Sequence, residues 1–105
     1  DYDEESRLTW TRIPHFYGSP YYVYQYATCY ASSAEILRQI DAASEAERPA
    51  AVDRYLRLLR AGGSDHPMTL LHGAGVDLGR PETVQAVVQQ LDGLVAQMEQ
   101  AIGEL

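Results

Sequence analysis

One histidine and five tyrosines crowd into twelve residues of this 105-residue chain: His15, Tyr17, Tyr21, Tyr22, Tyr24 and Tyr26. Phenols and a neutral imidazole are uncharged hydrogen-bond donors near neutral pH, and among them only histidine switches charge in that range. Donors of this kind, aimed together, stabilise the oxyanion that develops when water attacks a carbonyl. Tyr22 and Tyr26 lie one helical turn apart and Tyr21 and Tyr24 three residues apart, so either pair can direct two hydroxyls at one point. The same rings also suit plain packing, each hydroxyl satisfied by a backbone carbonyl, and residue types alone leave the two readings level.

Other chemistries are poorly supplied. His15, His66 and His72 form no His-x-x-x-His pair, no Cys-x-x-Cys occurs, and no carboxylate stands at zinc-ligand spacing from His15. There is no P-loop, no Gly-x-Gly-x-x-Gly and no Gly-x-Ser-x-Gly, so a self-contained metal or nucleotide site is unsupported. The single cysteine, Cys29, excludes an internal disulfide and fits a reducing compartment. Set among Tyr26, Thr28 and Tyr30 with no cationic neighbour, it reads as a buried, inert thiol. His66, ahead of Pro67, and His72, beside Gly73, read as solvated or capping residues.

Eight arginines and no lysine stand against 15 acidic residues, a net charge of −7. Such a surface repels a phosphate backbone, and the arginines are scattered instead of striped, which excludes nucleic acid as a partner. No apolar run reaches the 18 or so residues that span a bilayer, so no membrane partner is expected. The acidic start Asp1-Tyr2-Asp3-Glu4-Glu5 is the opposite of a signal peptide's basic one, and the expected location is cytoplasmic. The absence of an initiator Met suggests that residue 1 lies inside a longer sequence.

The elements that must position the cluster read as all-α. Residues 1–20, with Pro14, Gly18 and Pro20, form an irregular lead-in anchored by Trp10, Ile13 and Phe16. A helix over 21–40 starts at Pro20 and carries Tyr22, Tyr26, Cys29 and Tyr30 on one side, Tyr21, Tyr24 and Thr28 on the other. Its first half has no polar face and should be covered all round; its second half regains one and should emerge toward solvent. Helices follow over 44–60, stopped by Gly62-Gly63, over 67–74, capped by Ser64 or Asp65, and over 81–102. The last is the clearest amphipath, with Val84, Val87, Val88, Leu91, Val95, Met98 and Ile102 in one stripe. Three short helices supply too few partners for the aromatic one, which points to missing neighbours from a larger protein.

Ordered motifs run the length of the chain. Ile13-Pro14-His15-Phe16-Tyr17 is followed by Tyr22-Val23-Tyr24-Gln25-Tyr26-Ala27-Thr28, by Tyr55-Leu56 and Leu59 ahead of Ala61-Gly62-Gly63-Ser64, and by Gly75-Val76-Asp77-Leu78. Together they resemble the C-terminal end of the oligoendopeptidase F-like zinc metallopeptidases, within the thimet-oligopeptidase-like family. The resemblance implies a helical enzyme that encloses short peptide substrates in a deep channel. It also implies zinc in the parent enzyme, held by a His-Glu-x-x-His helix and a downstream Glu. That helix is absent from these residues, so the segment alone is expected to bind no metal and to be inactive.

His15 matches the family's downstream histidine, and the Tyr-Val-Tyr-Gln-Tyr run makes Tyr22 and Tyr24 the catalytic tyrosines. The more distant thimet spacing fits Tyr17, Tyr21 and Tyr24, which makes Tyr17 and Tyr21 substrate-binding candidates. Cys29 departs from a position where relatives carry a small residue. The implied partners are short peptides and either the remainder of the peptidase domain or a second copy. The alternative is a non-catalytic helical interaction domain that retains the motif.

Overall fold

The computed structural model describes residues 3–103, and among them it is all helical, without a strand. The lead-in is wound rather than irregular. A 3₁₀ helix runs over Glu4–Arg12, started by the Asp3 carboxylate, which accepts the Ser6 N–H at 2.8 Å. A single turn, α1 (His15–Gly18), follows Pro14. Then come α2 (Tyr24–Ala42), α3 (Arg48–Ala61), α4 (Pro67–Gly73) and α5 (Pro81–Gly103).

Prolines open three of these helices and glycine closes one. Pro49, Pro67 and Pro81 sit in first turns, where a missing N–H costs nothing. Gly62, at φ 54°, ends α3 in a conformation closed to most side chains. Ahead of α3, Ser44 donates its hydroxyl to Glu47 at 2.6 Å, and that bond holds the Glu47 carboxyl below its usual range. The cap of α4 is His66, whose Nδ1 accepts the Met68 N–H at 3.4 Å, instead of the expected Ser64 or Asp65. Asp65 serves one residue earlier, accepting the His66 N–H.

The first half of α2 is not covered as expected: Tyr24, Tyr26 and Tyr30 stand exposed, and the covered stretch is the middle, at Ala31, Ser32, Ala34, Glu35 and Ile36, after which Leu37, Arg38, Asp41 and Ala42 emerge to solvent. Small side chains explain the covering, because Ala31 and Ala34 let α5 approach with its own small pair, Thr83 and Ala86. The buried carboxylate of Glu35 is satisfied by Arg38 Nε at 2.8 Å and by Gln39 Nε2 at 2.9 Å. Gln39 also donates to the Gly75 carbonyl at 2.7 Å, fastening the α4–α5 connection to α2. Gly75, at φ 84°, has no room for a Cβ, which would meet Gln39 Oε1 at 2.6 Å. Next to it Val76 is fully buried.

Much apolar surface stays open. Val84, Val88, Leu91, Leu94, Val95, Met98 and Ile102 of α5 are exposed, because α5 turns Thr83 and Ala86 inward instead. The accessible surface is 8518 Å², where a self-contained chain of this size would show about 5,900 Å². The radius of gyration is 17.7 Å, against about 13 Å for a compact domain of this length. Surface of this apolar kind draws a partner. Light scattering across a concentration series should therefore show the isolated chain self-associating, and a monodisperse monomer at high concentration would contradict this.

Glu35 provides a second test. The Arg38 hydrogen bond, outweighing burial, holds its carboxyl below the usual range, so its contribution is present at neutral pH and is lost as pH falls through that lowered value. Glu35→Ala should cost about 1–2 kcal/mol at pH 7, Arg38 being half exposed, and the gap from the parent chain should narrow at an acid pH below that lowered value. Urea unfolding followed by circular dichroism at both pH values measures it.

Candidate functional site

Aromatic contacts step along the chain from the lead-in to α2. Trp10 meets Phe16 edge-on at 6.1 Å between ring centroids and stacks with Tyr17 at 6.5 Å and 25°. These contacts seat α1 on the 3₁₀ helix. The turn of α1 is closed by Tyr17 and Gly18 N–H groups donating to the Pro14 carbonyl, both at 3.0 Å. His15 opens that turn, half-buried. Its ring reaches across to Tyr22 at 5.1 Å and to Tyr26 at 5.9 Å, while Tyr22 and Tyr26 meet edge-to-face at 5.4 Å and 84°. The two tyrosines are neighbours because four residues make one helical turn.

Between α1 and α2 the chain reverses over Ser19-Pro20-Tyr21-Tyr22, with the Tyr22 N–H donating to the Ser19 carbonyl at 3.2 Å. Proline at the second place and a positive φ at the third are the marks of a type II turn, which ordinarily takes Gly or Asn there. Tyr21 fills that place at φ 63° and is 90% exposed. This turn delays α2 to Tyr24, three residues after the expected start, and throws the Tyr21 ring outward.

The structure therefore sorts the five sequence-predicted residues into separate places. His15 and Tyr22 come together. Tyr24 lines a separate, adjoining groove of about 830 Å³ with Thr28, Ile36, Tyr55, Leu59 and Met68. Tyr17 is taken up by Trp10, and Tyr21 touches none of the other rings. Tyr26, left outside the predicted set, completes the trio with His15 and Tyr22; its four-residue spacing from Tyr22 was the available signal. The neighbouring Tyr22 phenol pushes the Tyr26 phenol above its ordinary range.

Cys29 is exposed, on a shallow depression of about 410 Å³ with Tyr22, Tyr26 and Tyr30, and not the buried thiol expected of its apolar neighbours. The cover those neighbours call for lies on none of the described residues. Likewise, no group of three or more His, Cys, Asp or Glu among the described residues is placed to hold a metal ion. No described helix is long and apolar enough to cross a membrane. What the trio offers is a set of hydrogen-bonding groups, one imidazole and two phenols, on a face open to a substrate.

The sequence pattern of peptidase family M3 matches residues 1–90. Oligopeptidase PepF of Bacillus subtilis is 42% identical over 100 residues, 95% of this chain and 14% of that protein. An oligoendopeptidase F homolog of Borreliella burgdorferi is 41% identical over 87 residues, 83% of this chain and 14% of that protein. Group B oligopeptidase PepB of Streptococcus agalactiae is 33% identical over 95 residues, 90% of this chain and 15% of that protein. This chain thus spans about one seventh of the length of such relatives. No solved structure matches it significantly.

Tyr21 generates the test of this geometry. Glycine adopts its conformation freely and a β-branched residue resists it. Tyr21→Gly should hold stability or raise it by up to about 1 kcal/mol, while Tyr21→Val should lower it by about 1 kcal/mol. Thermal unfolding of the two variants beside the parent chain reads the difference.

Proposed function

The chain belongs to peptidase family M3, and on that premise we propose that it is the C-terminal helical segment of a longer zinc-dependent oligopeptidase that hydrolyses short peptides. Its contribution there is a set of hydrogen-bond donors. His15 and Tyr22 face the scissile carbonyl and donate to its oxygen as negative charge develops, so the attacked carbonyl finds its partners already oriented. Tyr24, on the groove side of α2, supplies the second phenol of the predicted pair, and Tyr17 and Tyr21 contact the substrate along the lead-in. The expected compartment of the parent enzyme is the cytoplasm.

The observation that carries this reading is the contact of the His15 and Tyr22 rings at 5.1 Å, on an open face, across two separate elements. Two neutral donors held so close suit one oxygen atom. The open apolar surface supports the second part of the proposal, that the remainder of the peptidase domain covers α5 and the aromatic half of α2. It also keeps a non-catalytic interaction domain as the rival. The length of the encoded precursor separates the two, since only the peptidase reading requires a His-Glu-x-x-His segment upstream.

In the full-length polypeptide, His15→Ala, Tyr22→Phe and Tyr24→Phe should each lower kcat by on the order of 100-fold with KM and zinc content nearly unchanged, as expected for loss of one preorganised donor. If Tyr22→Phe is silent while Tyr17→Phe or Tyr21→Phe is crippling, the donors follow the thimet-like spacing instead. The 105-residue chain by itself should neither take up stoichiometric zinc nor cleave a short peptide. Elemental analysis after zinc supplementation, with a fluorogenic peptide assay, checks this; one zinc per chain with turnover would overturn it.

A further inference from the structure

His15 has little of its own to hold it. It opens α1, a single turn of four residues, and so short a helix has no stability apart from what it packs against. Tyr22 is no better founded, since it closes the strained Ser19–Tyr22 turn and precedes α2. Tyr26 alone of the three rings rises from the body of a long helix, in the first turn of the nineteen-residue α2. It touches both of the others, meeting Tyr22 edge-to-face, the favoured arrangement of an aromatic pair, and His15 at 5.9 Å and 54°.

We propose that Tyr26 is a positioning residue for the reaction: its ring is the fixed wall against which His15 and Tyr22 are set, so that their donors converge on one oxygen. The inference rests on the reading above, in which those two residues face the substrate carbonyl. Tyr26 itself touches no reacting atom. Tyr30, one turn further along the same face, makes none of these ring contacts and is the natural control.

Three variants separate the ring from the hydroxyl. Tyr26→Phe keeps the ring wall, Tyr26→Leu removes it, and Tyr30→Leu changes the same face without touching the trio. In the full-length, zinc-loaded peptidase, Tyr26→Leu should lower kcat about 10-fold with KM within about twofold, since a displaced donor loses the transition state more than the bound substrate. Tyr26→Phe should stay within about threefold of the parent enzyme, and Tyr30→Leu should match it. In the 105-residue chain, nuclear Overhauser contacts between the His15 and Tyr22 rings should persist in Tyr26→Phe and Tyr30→Leu and vanish in Tyr26→Leu. A Tyr26→Leu variant that keeps both the contacts and the full kcat overturns the proposal. So does a Tyr26→Phe variant as slow as Tyr26→Leu, which would place the hydroxyl on the substrate. Silence of His15→Ala and Tyr22→Phe in the same assay would sink the oxyanion reading instead, and the ring contacts would still decide whether Tyr26 holds His15.

Discussion

The close approach of α2 and α5 at small residues is the constraint on which the rest of this chain depends. Ala31 and Ala34 of α2 and Thr83 and Ala86 of α5 are the small residues buried where these elements pack, with Leu37, Gln89 and Gln90 further along the seam. Dispersion over so small an apolar area is modest. The polar clasp beside it matters correspondingly more: Glu35 binds Arg38 and Gln39, and Gln39 reaches 36 residues along the chain to the Gly75 carbonyl. One side chain thereby satisfies a buried carboxylate and pins the loop that delivers α5. The same loop is tied from the far side, where the Thr83 hydroxyl donates to the Asp77 carbonyl at 2.6 Å.

Fixing α2 at its middle leaves the first turns free to serve as a platform. The aromatic half projects beyond the α5 contact, and everything the lead-in contributes is carried to it by rings. Trp10 seats α1 through Phe16 and Tyr17, and α1 presents His15 to Tyr22 and Tyr26. Ring contacts suit this task because each buries much area while fixing only two side-chain torsions. Tyr22, just ahead of α2, and Tyr24, at its start, line neighbouring hollows that share Gln25, Cys29 and Ser33: Tyr22 and Tyr26 of the trio border one, and Tyr24 with Tyr55 borders the other.

Helix boundaries were legible wherever proline or glycine set them, at Pro49, Pro67, Pro81 and Gly62, because those residues act through their own covalent geometry. The start of α2 was not, since it turns on Tyr21 taking a positive φ, which a tyrosine seldom does. The cover over the middle of α2 has an electrostatic condition. Glu35 reads as a solvent-facing residue from its charge, yet paired to the half-exposed Arg38 it tolerates cover, and the tyrosines read as buried although no described element lies over them. The separate placing of Tyr22 and Tyr24 agrees with the two sides assigned to them, although Tyr22 lies in the turn ahead of α2 and the helical step does not reach it. The contact of His15 with Tyr22 was not a matter of spacing, because it crosses the reverse turn between two elements; only the family resemblance singled out both residues.

The length of α5 has a mechanical consequence. The helix borders α2 from Thr83 to Gln90 and runs on to Gly103, an arm of about 20 Å beyond the contact at 1.5 Å per residue. Such an arm is a lever: a rotation of about 10° at the contact sweeps its tip through about 3.5 Å, on the scale of a side chain's width. Repacking a single alanine between α2 and α5 would thus be read out, magnified, at Met98 and Ile102. A surface that gripped the far end would transmit its own shape back to the clasp at Gln39 and Gly75.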